Sequence, residues 1–277
     1  MPARPNSKNN LNRAIARLAK DSADGQRTER LMANAIVGAL LPDGAVKGGS
    51  SLKFRYGIDA TRYSTDLDTV HASALEDFIG KLRVSLAAGW EGFTGEVVRR
   101  EPATPVGVPT GYVMQPFDVK LSYLGKSWMT VALEVGHNEI GDADEADLVS
   151  SPEIEGIFEA LGFPSPGPIP VMKLEHQIAQ KLHGASEPGS ERAHDLIDLQ
   201  VIVQNGNVDF GKAKRTCERL FAYRRQQAWP PTIEKQPGWD ELYRRQAEGL
   251  SVLQTVDEAV AWANELIAMI DKANPAE

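Results

Sequence analysis

Residues 45–70 constrain the fold more than any other stretch of the chain. They read Ala45-Val46-Lys47, Gly48-Gly49-Ser50-Ser51-Leu52, Tyr56-Gly57, and then Arg62-Tyr63-Ser64-Thr65-Asp66-Leu67-Asp68-Thr69-Val70. From 63 to 70 polar and apolar residues alternate, as in a half-buried strand. The period of two sets Ser64, Asp66 and Asp68 on one face and Leu67 on the other. Two carboxylates side by side repel each other and are costly near a core. A divalent cation removes that cost, and hard oxygen donors select magnesium or manganese. Upstream, Gly48-Gly49 lets the backbone approach a ligand closely. Ser50 and the helix start beside it offer N–H donors to a phosphate. Arg62 adds a positive charge. Taken singly, Gly-Gly-Ser is a turn, Asp-x-Asp a solvated strand edge and Ser64 a surface residue. Their order within one helix-and-strand unit favours the joint reading.

Around this unit the periodicities divide the chain into two halves. A helix is expected at 28–41, ended by Pro42-Asp43-Gly44, then a short strand at 45–47 and a brief helix through Tyr56. A second amphipathic helix covers 74–86, a strand 93–100, and a loop rich in Pro and Gly 102–111. Residues 112–123 and 128–137 form a hairpin joined at Leu124-Gly125-Lys126. From 138 to 170 the chain is acidic and then Pro-rich, and reads as a linker with at most one short helix. The rest is helical: 171–185, 191–204, 210–226 and a last helix opening at Thr255, with Glu258 in capping-box position. The expected fold class is α+β, with an α/β half on a mixed sheet (domain 1–150) followed by a helical bundle (domain 151–277).

With 277 residues, 42% of them hydrophobic, the chain can bury one large core or two modest ones. No apolar run is long enough to span a bilayer, and the basic N-terminus has no apolar stretch of the secretory type. Cys217 is the only cysteine, which rules out an internal disulfide and a cysteine zinc cluster. A cytoplasmic protein is expected. The net charge of −8 argues against non-specific coating of nucleic acid, though it permits a local basic groove. Lys212, Lys214, Arg215, Arg219, Arg224 and Arg225 in fact cluster on one helix, with Phe221 and Tyr223 interleaved. That helix could guide an RNA backbone, or be an ordinary solvated face with core aromatics. His176, His183 and His194 do not have zinc-motif spacing.

The run from Gly48 through Tyr56-Gly57 to Arg62-x-Ser64-x-Asp66-Leu67-Asp68 resembles the first motif of the AbiEii/AbiGii-type nucleotidyltransferase toxins, in the polymerase-β superfamily. Lys181 followed by Arg192, Asp195 and Asp198 resembles the family's later motif, with His194 where an Arg is common. The likeness extends from about Leu31 onward, and the first motif is its specific part. It implies a polymerase-β-like α/β half and transfer of a nucleoside monophosphate from an NTP. The expected acceptor is RNA, with the 3′ end of a tRNA leading, and the outcome is blocked translation and growth, as in toxin–antitoxin and abortive-infection systems. An NTP substrate and a cognate antitoxin are the implied partners, with no membrane. Asp66 and Asp68 would be metal ligands for Mg2+ or Mn2+. Gly48, Gly49 and Ser50 would hold the triphosphate, with Arg62, Ser64 and Asp198 also at the nucleotide. Lys181 would neutralise its phosphates, and Asp195 would act near the nucleotide or as a proton acceptor. Ser64 matches a position that is phosphorylated in some relatives.

On the residues alone, Lys181 reads as a surface lysine. Asp195 and Asp198, three apart, share a helix face with Arg192, and Asp198 reads equally as part of a salt-bridged surface. A third carboxylate is expected on a neighbouring strand. Asp118 and Glu134 both sit in apolar-acid-apolar patterns; the family pattern points to Glu134, the shorter side chain to Asp118. Two other functions share the same features: a nucleotidyltransferase acting on a small molecule or protein, and a non-catalytic nucleotide-binding regulator. The intact Asp66/Asp68 pair speaks against the latter.

Overall fold

The structure, a computed structural model, describes residues 2–102 and 113–274. The chain divides into two compact units, one of Met1–Gly57 with Ser64–Val171 and one of Ile58–Tyr63 with Met172–Glu277.

The first unit is built on a mixed sheet. Its strands are β1 (Ala45–Val46), β2 (Leu67–Val70), β3 (Phe93–Arg99), β4 (Gln115–Tyr123), β5 (Lys126–Gly136), β6 (Ala146–Val149) and β7 (Ile169–Met172). They lie in the order β3-β4-β5-β2-β1-β7-β6. β3, β4 and β5 form an antiparallel meander, and β2 joins β5 in parallel. β1 pairs antiparallel with β2 and parallel with β7. Helices α1 (Lys8–Leu18), α2 (Ser22–Ala39), α3 (Gly48–Tyr56), α4 (Leu75–Ala88) and α5 (Pro152–Ala160) complete the unit. Leu31, Met32, Ala35 and Ile36 of α2 and Phe78, Ile79, Leu82 and Leu86 of α4 are buried, as their helical spacing demands. Trp90, Phe93, Tyr123, Trp128, Phe158 and Phe163 form a linked aromatic cluster, with the Trp90 and Phe158 rings edge to face at 5.4 Å.

The second unit is helical, with α6 (Leu174–Ser186), α7 (His194–Asn205), α8 (Phe210–Arg224), α9 (Trp239–Ala247) and α10 (Val256–Lys272). Buried Gln200 of α7 ties the bundle together: it donates to Tyr243 Oη (3.0 Å) and accepts from Leu253 N (2.8 Å). Tyr243 in turn donates to the Leu253 carbonyl (2.7 Å). The Gln200 amide and the Tyr243 hydroxyl are thus both partnered, which is what makes their burial tolerable. The Thr255 cap forms as its spacing predicts, with Thr255 Oγ1 accepting from Glu258 N (3.3 Å), while the Glu258 carboxylate takes the Thr255 hydroxyl (2.7 Å) where a full capping box would use the backbone N–H.

Two expectations are corrected. The strand read over 63–70 is shorter, since β2 starts at Leu67 and Asp66 precedes it in extended chain. The stretch 138–170 is not a bare linker but supplies β6, α5 and the first half of β7, held on the sheet by buried Ile154, Phe158 and Ile169. The N-terminal residues form α1, which buries only Leu11 and Ile15 and is otherwise too polar to stand out. The loop expected at 102–111 lies, beyond Pro102, outside the described residues. No helix among the described residues is long and apolar enough to cross a membrane.

Candidate active site

In the first unit, α3 is stitched directly to the acid-bearing chain. Lys47 N donates to the Asp68 carbonyl (2.8 Å), Ser50 Oγ to the Asp66 carbonyl (2.6 Å) and Lys53 Nζ to the Ser64 carbonyl (2.5 Å). Gly48 sits at the first turn of α3 with φ 64°, and a Cβ there would lie 2.2 Å from Asp68 Oδ2. Only glycine fits that position. The helix start therefore lies against a carboxylate, with no side chain capping it, and the backbone dipole favours negative charge at that point.

The parallel register of β2 and β5 places Asp68 opposite Glu134. The Glu134 carboxyl is held above the usual range, first by burial and then by Asp68 and Asp66, against weaker relief from Arg100 and Lys47. Both aspartates are thus close enough to Glu134 to repel it. Asp118 lies one strand further on, opposite Ala132 rather than Glu134, and pairs with Arg100 at 3.6 Å. Of the two acids left open by the sequence, Glu134 is the one that faces Asp68. Among the described residues no three Asp, Glu, His or Cys side chains are gathered closely enough to hold an ion as they stand. Asp66, exposed and outside the strand, would have to turn inward. The donor set nonetheless fits a hard divalent cation: three carboxylates, two of them register partners, whose mutual repulsion a cation would relieve.

The second unit holds a buried chain of charges. Arg62 clasps Asp198 with two bonds, at 2.9 and 3.0 Å. Lys181 Nζ lies 2.6 Å from Asp198 and 3.1 Å from Asp195, and Arg192 Nε donates to Asp195 (2.6 Å). Asp195, Asp198 and Lys181 are 0%, 1% and 4% exposed. Burial alone would raise both carboxyls. Arg192 and Lys181 overcome it at Asp195, Arg62 and Lys181 at Asp198, and both stay well below the usual range. Gly184 makes room for this arrangement, since a Cβ there would meet Arg192 Nε at 2.5 Å. His194, 3.8 Å from Asp195, is pushed down to about 4 chiefly by burial and so is neutral.

A family model described as the nucleotidyl transferase AbiEii toxin of type IV toxin–antitoxin systems matches residues 30–265. The chain belongs to the AbiEii family. It is therefore a nucleotidyltransferase toxin of a toxin–antitoxin system, with a nucleotide substrate and an antitoxin as the partners that the family implies. Among solved structures it is similar to MenT4, a nucleotidyltransferase toxin from Mycobacterium tuberculosis H37Rv, with 18% identity and a TM-score of 0.54 over 95% of this chain and 99% of that one. At that identity the likeness speaks for the fold alone, an α+β nucleotidyltransferase architecture. An H. pylori protein assigned as a nucleotidyltransferase also matches, at 15% identity and a TM-score of 0.46 over 89% of this chain and 94% of that one. No curated protein matches.

Within this AbiEii chain the expected site residues fall into two groups. Gly48, Gly49, Ser50, Ser64, Asp66, Asp68 and Glu134 come together in the first unit, although the Ser50 hydroxyl already donates to the Asp66 carbonyl. Arg62, Lys181, Asp195 and Asp198 come together in the second, where their charges are spent on one another. Asp195, held ionised by Arg192 and Lys181, is a poor proton acceptor in this arrangement. Arg192 reaches the carboxylate beside which the family commonly carries an Arg one position earlier, and His194 does not replace it as a cation. Sequence reasoning missed Gly184 and the structural use of Lys53. Only the i, i+3 spacing of Arg192 and Asp195 hinted at the network.

Proposed function

We propose that the protein transfers a nucleoside monophosphate from an NTP to RNA, with the 3′ end of a tRNA as leading acceptor, and so blocks translation. The observation that carries the transferase part of this reading is the register pair Asp68 and Glu134, beside Asp66 and against the glycine start of α3, and the RNA acceptor is what the resemblance to the family implies. Asp66, Asp68 and Glu134 would hold Mg2+ or Mn2+, which supplies charge neutralisation at the transferring phosphoryl group and lowers the pKa of a bound hydroxyl. The uncapped N–H groups at Gly48 and Gly49 offer donors to the triphosphate, and their glycine backbone lets it approach. The acceptor hydroxyl oxygen forms a bond to the α-phosphorus as its proton passes to solvent, the bond from that phosphorus to the bridging oxygen breaks, and pyrophosphate leaves with the electron pair. Catalysis is then positioning and electrostatics.

The second unit's Lys181, Asp195 and Asp198 serve the nucleotide in this reading only if their ion pairs open on binding. Incubating wild type and Asp68→Ala with labelled NTPs and total RNA tests the proposal. Label on tRNA that requires Asp68 supports it. Label on protein or a small molecule alone removes the RNA acceptor, and unchanged toxicity of Asp68→Ala removes the enzymatic reading.

A further inference from the structure

The second unit carries a groove of about 690 Å³ along the C-terminal end of α8, the segment after it and the end of α10. Its chemistry is not that of a simple anion site. Phe221 forms a buried wall and half-buried Trp229 stands edge to face with it, the ring centres 5.4 Å apart. Trp229 Nε1 donates to Asp271 Oδ1 (3.1 Å), which fixes the indole. Two carboxylates, Glu218 and Asp271, line the same groove. Arg225 also lines it: an exposed residue in left-handed conformation (φ 56°) that ends the basic helix α8. Exposed Gln226 adds an amide with both a donor and an acceptor.

Aromatic wall, hydrogen-bond acceptors and a cation together are complementary to one ligand class. A nucleobase stacks on an indole whatever its identity, whereas its edge is read by polar groups. Carboxylates accept from the exocyclic amino groups of cytosine or adenine and repel the carbonyl that uracil presents there. An arginine suits the attached phosphate. A volume of this size is that of a small-ligand site and holds a base with its sugar. We propose that this groove takes an unpaired, amino-bearing base, cytosine or adenine, of the RNA acceptor; it rests on the RNA reading above. It is built on side chains other than those that carry the metal and phosphate chemistry.

Fluorescence anisotropy of the full chain with labelled single-stranded oligocytidine, oligoadenosine and oligouridine at one fixed salt concentration tests the groove. Oligocytidine and oligoadenosine should bind roughly tenfold tighter than oligouridine. Glu218→Ala, an exposed helix position, should shrink that preference to about twofold, because the remaining carboxylate, Asp271, already accepts from the Trp229 indole. Trp229→Leu should weaken all three by roughly tenfold. Equal binding of cytidine and uridine oligomers by wild type, a preference unmoved in Glu218→Ala, or no RNA binding would each overturn the proposal. The transfer assay separates this outcome from failure of the parent reading. RNA that takes label without base preference sinks the groove alone. Base preference that depends on Glu218, with no RNA taking label, keeps the groove as an RNA site and sinks the acceptor assignment.

Discussion

Asp68 on β2 and Glu134 on β5 are register partners in a parallel pair, and the proton affinity of Glu134 is raised by burial and then by that aspartate. A raised carboxyl binds more protons in the folded than in the unfolded chain, so by linkage the metal-free protein loses stability as pH rises through the Glu134 pKa. A bound cation competes with that proton. Affinity for Mn2+, read by titration calorimetry, should therefore fall as pH is lowered through the raised carboxyl range, beginning at a higher pH than for an ordinary glutamate. Asp68→Asn should bring the Glu134 pKa down and move the fall to lower pH while abolishing transfer. Asp118→Asn should leave both nearly unchanged. A metal titration insensitive to Glu134→Gln would discard Glu134 as a ligand.

Gly48→Ala should abolish transfer while the fold survives. The added methyl meets Asp68 Oδ2 at 2.2 Å, and the left-handed backbone (φ 64°) costs a further 1–2 kcal/mol or so for any L side chain. The expected result is a drop in Tm of a few degrees and loss of NTP-dependent labelling by more than about tenfold. Gly80→Ala on α4, where nothing lies within 4 Å of a new Cβ, is the control and should do neither.

How far the sequence revealed these elements follows from the range of the interactions. The acids at 66 and 68, the glycines before them and the cap at Thr255 are local patterns, and all were legible. Choosing between Asp118 and Glu134 required the register of β2 against β5, which pairs residues 66 positions apart and has no local signal. Strands β6 and β7 were hidden because each is four residues long and set among acids and prolines, so no alternation could develop. Arg62 reads as a nucleotide ligand from its place in the first motif, yet its carboxylate partner lies 136 residues away. Lys181 reads as solvated because nothing in its own helix shows that α7 will bring two aspartates to it.

Lowering pH from neutral should destabilise the second unit through His183. Its Nδ1 faces Arg224 Nη1 at 3.3 Å, and a guanidinium can only donate, so Nδ1 accepts and the ring proton sits on Nε2. Nε2 is buried without a partner. Burial, then Arg224 and Arg192, push the pKa down to about 3. Between that value and the unfolded value near 6.5 the unfolded chain binds more protons, so this contribution is complete above the unfolded pKa and is lost progressively as pH falls below it. Thermal melts from pH 7 to pH 4 should show a shallower decline for His183→Leu than for wild type. Parallel declines would refute the assignment.

Lys181→Met separates a structural from a purely catalytic lysine. In the wild type one ammonium is shared by Asp195 and Asp198, both fully buried. Removing it leaves Asp198 with Arg62 and Asp195 with half-exposed Arg192, two anions in a protein interior with one counter-charge fewer. Breaking buried ion pairs in this way costs roughly 3–5 kcal/mol, whereas removing a lysine that only touches a bound triphosphate costs the free protein almost nothing. Urea unfolding of the nucleotide-free chain should therefore show a lower midpoint in Lys181→Met with an unchanged slope. Replacing all three together, Lys181→Met with Asp195→Asn and Asp198→Asn, should recover part of the loss, because the uncompensated charges are then gone. A single Lys181→Met variant as stable as wild type would return the lysine to the nucleotide and show that its ion pairs contribute nothing to the resting fold.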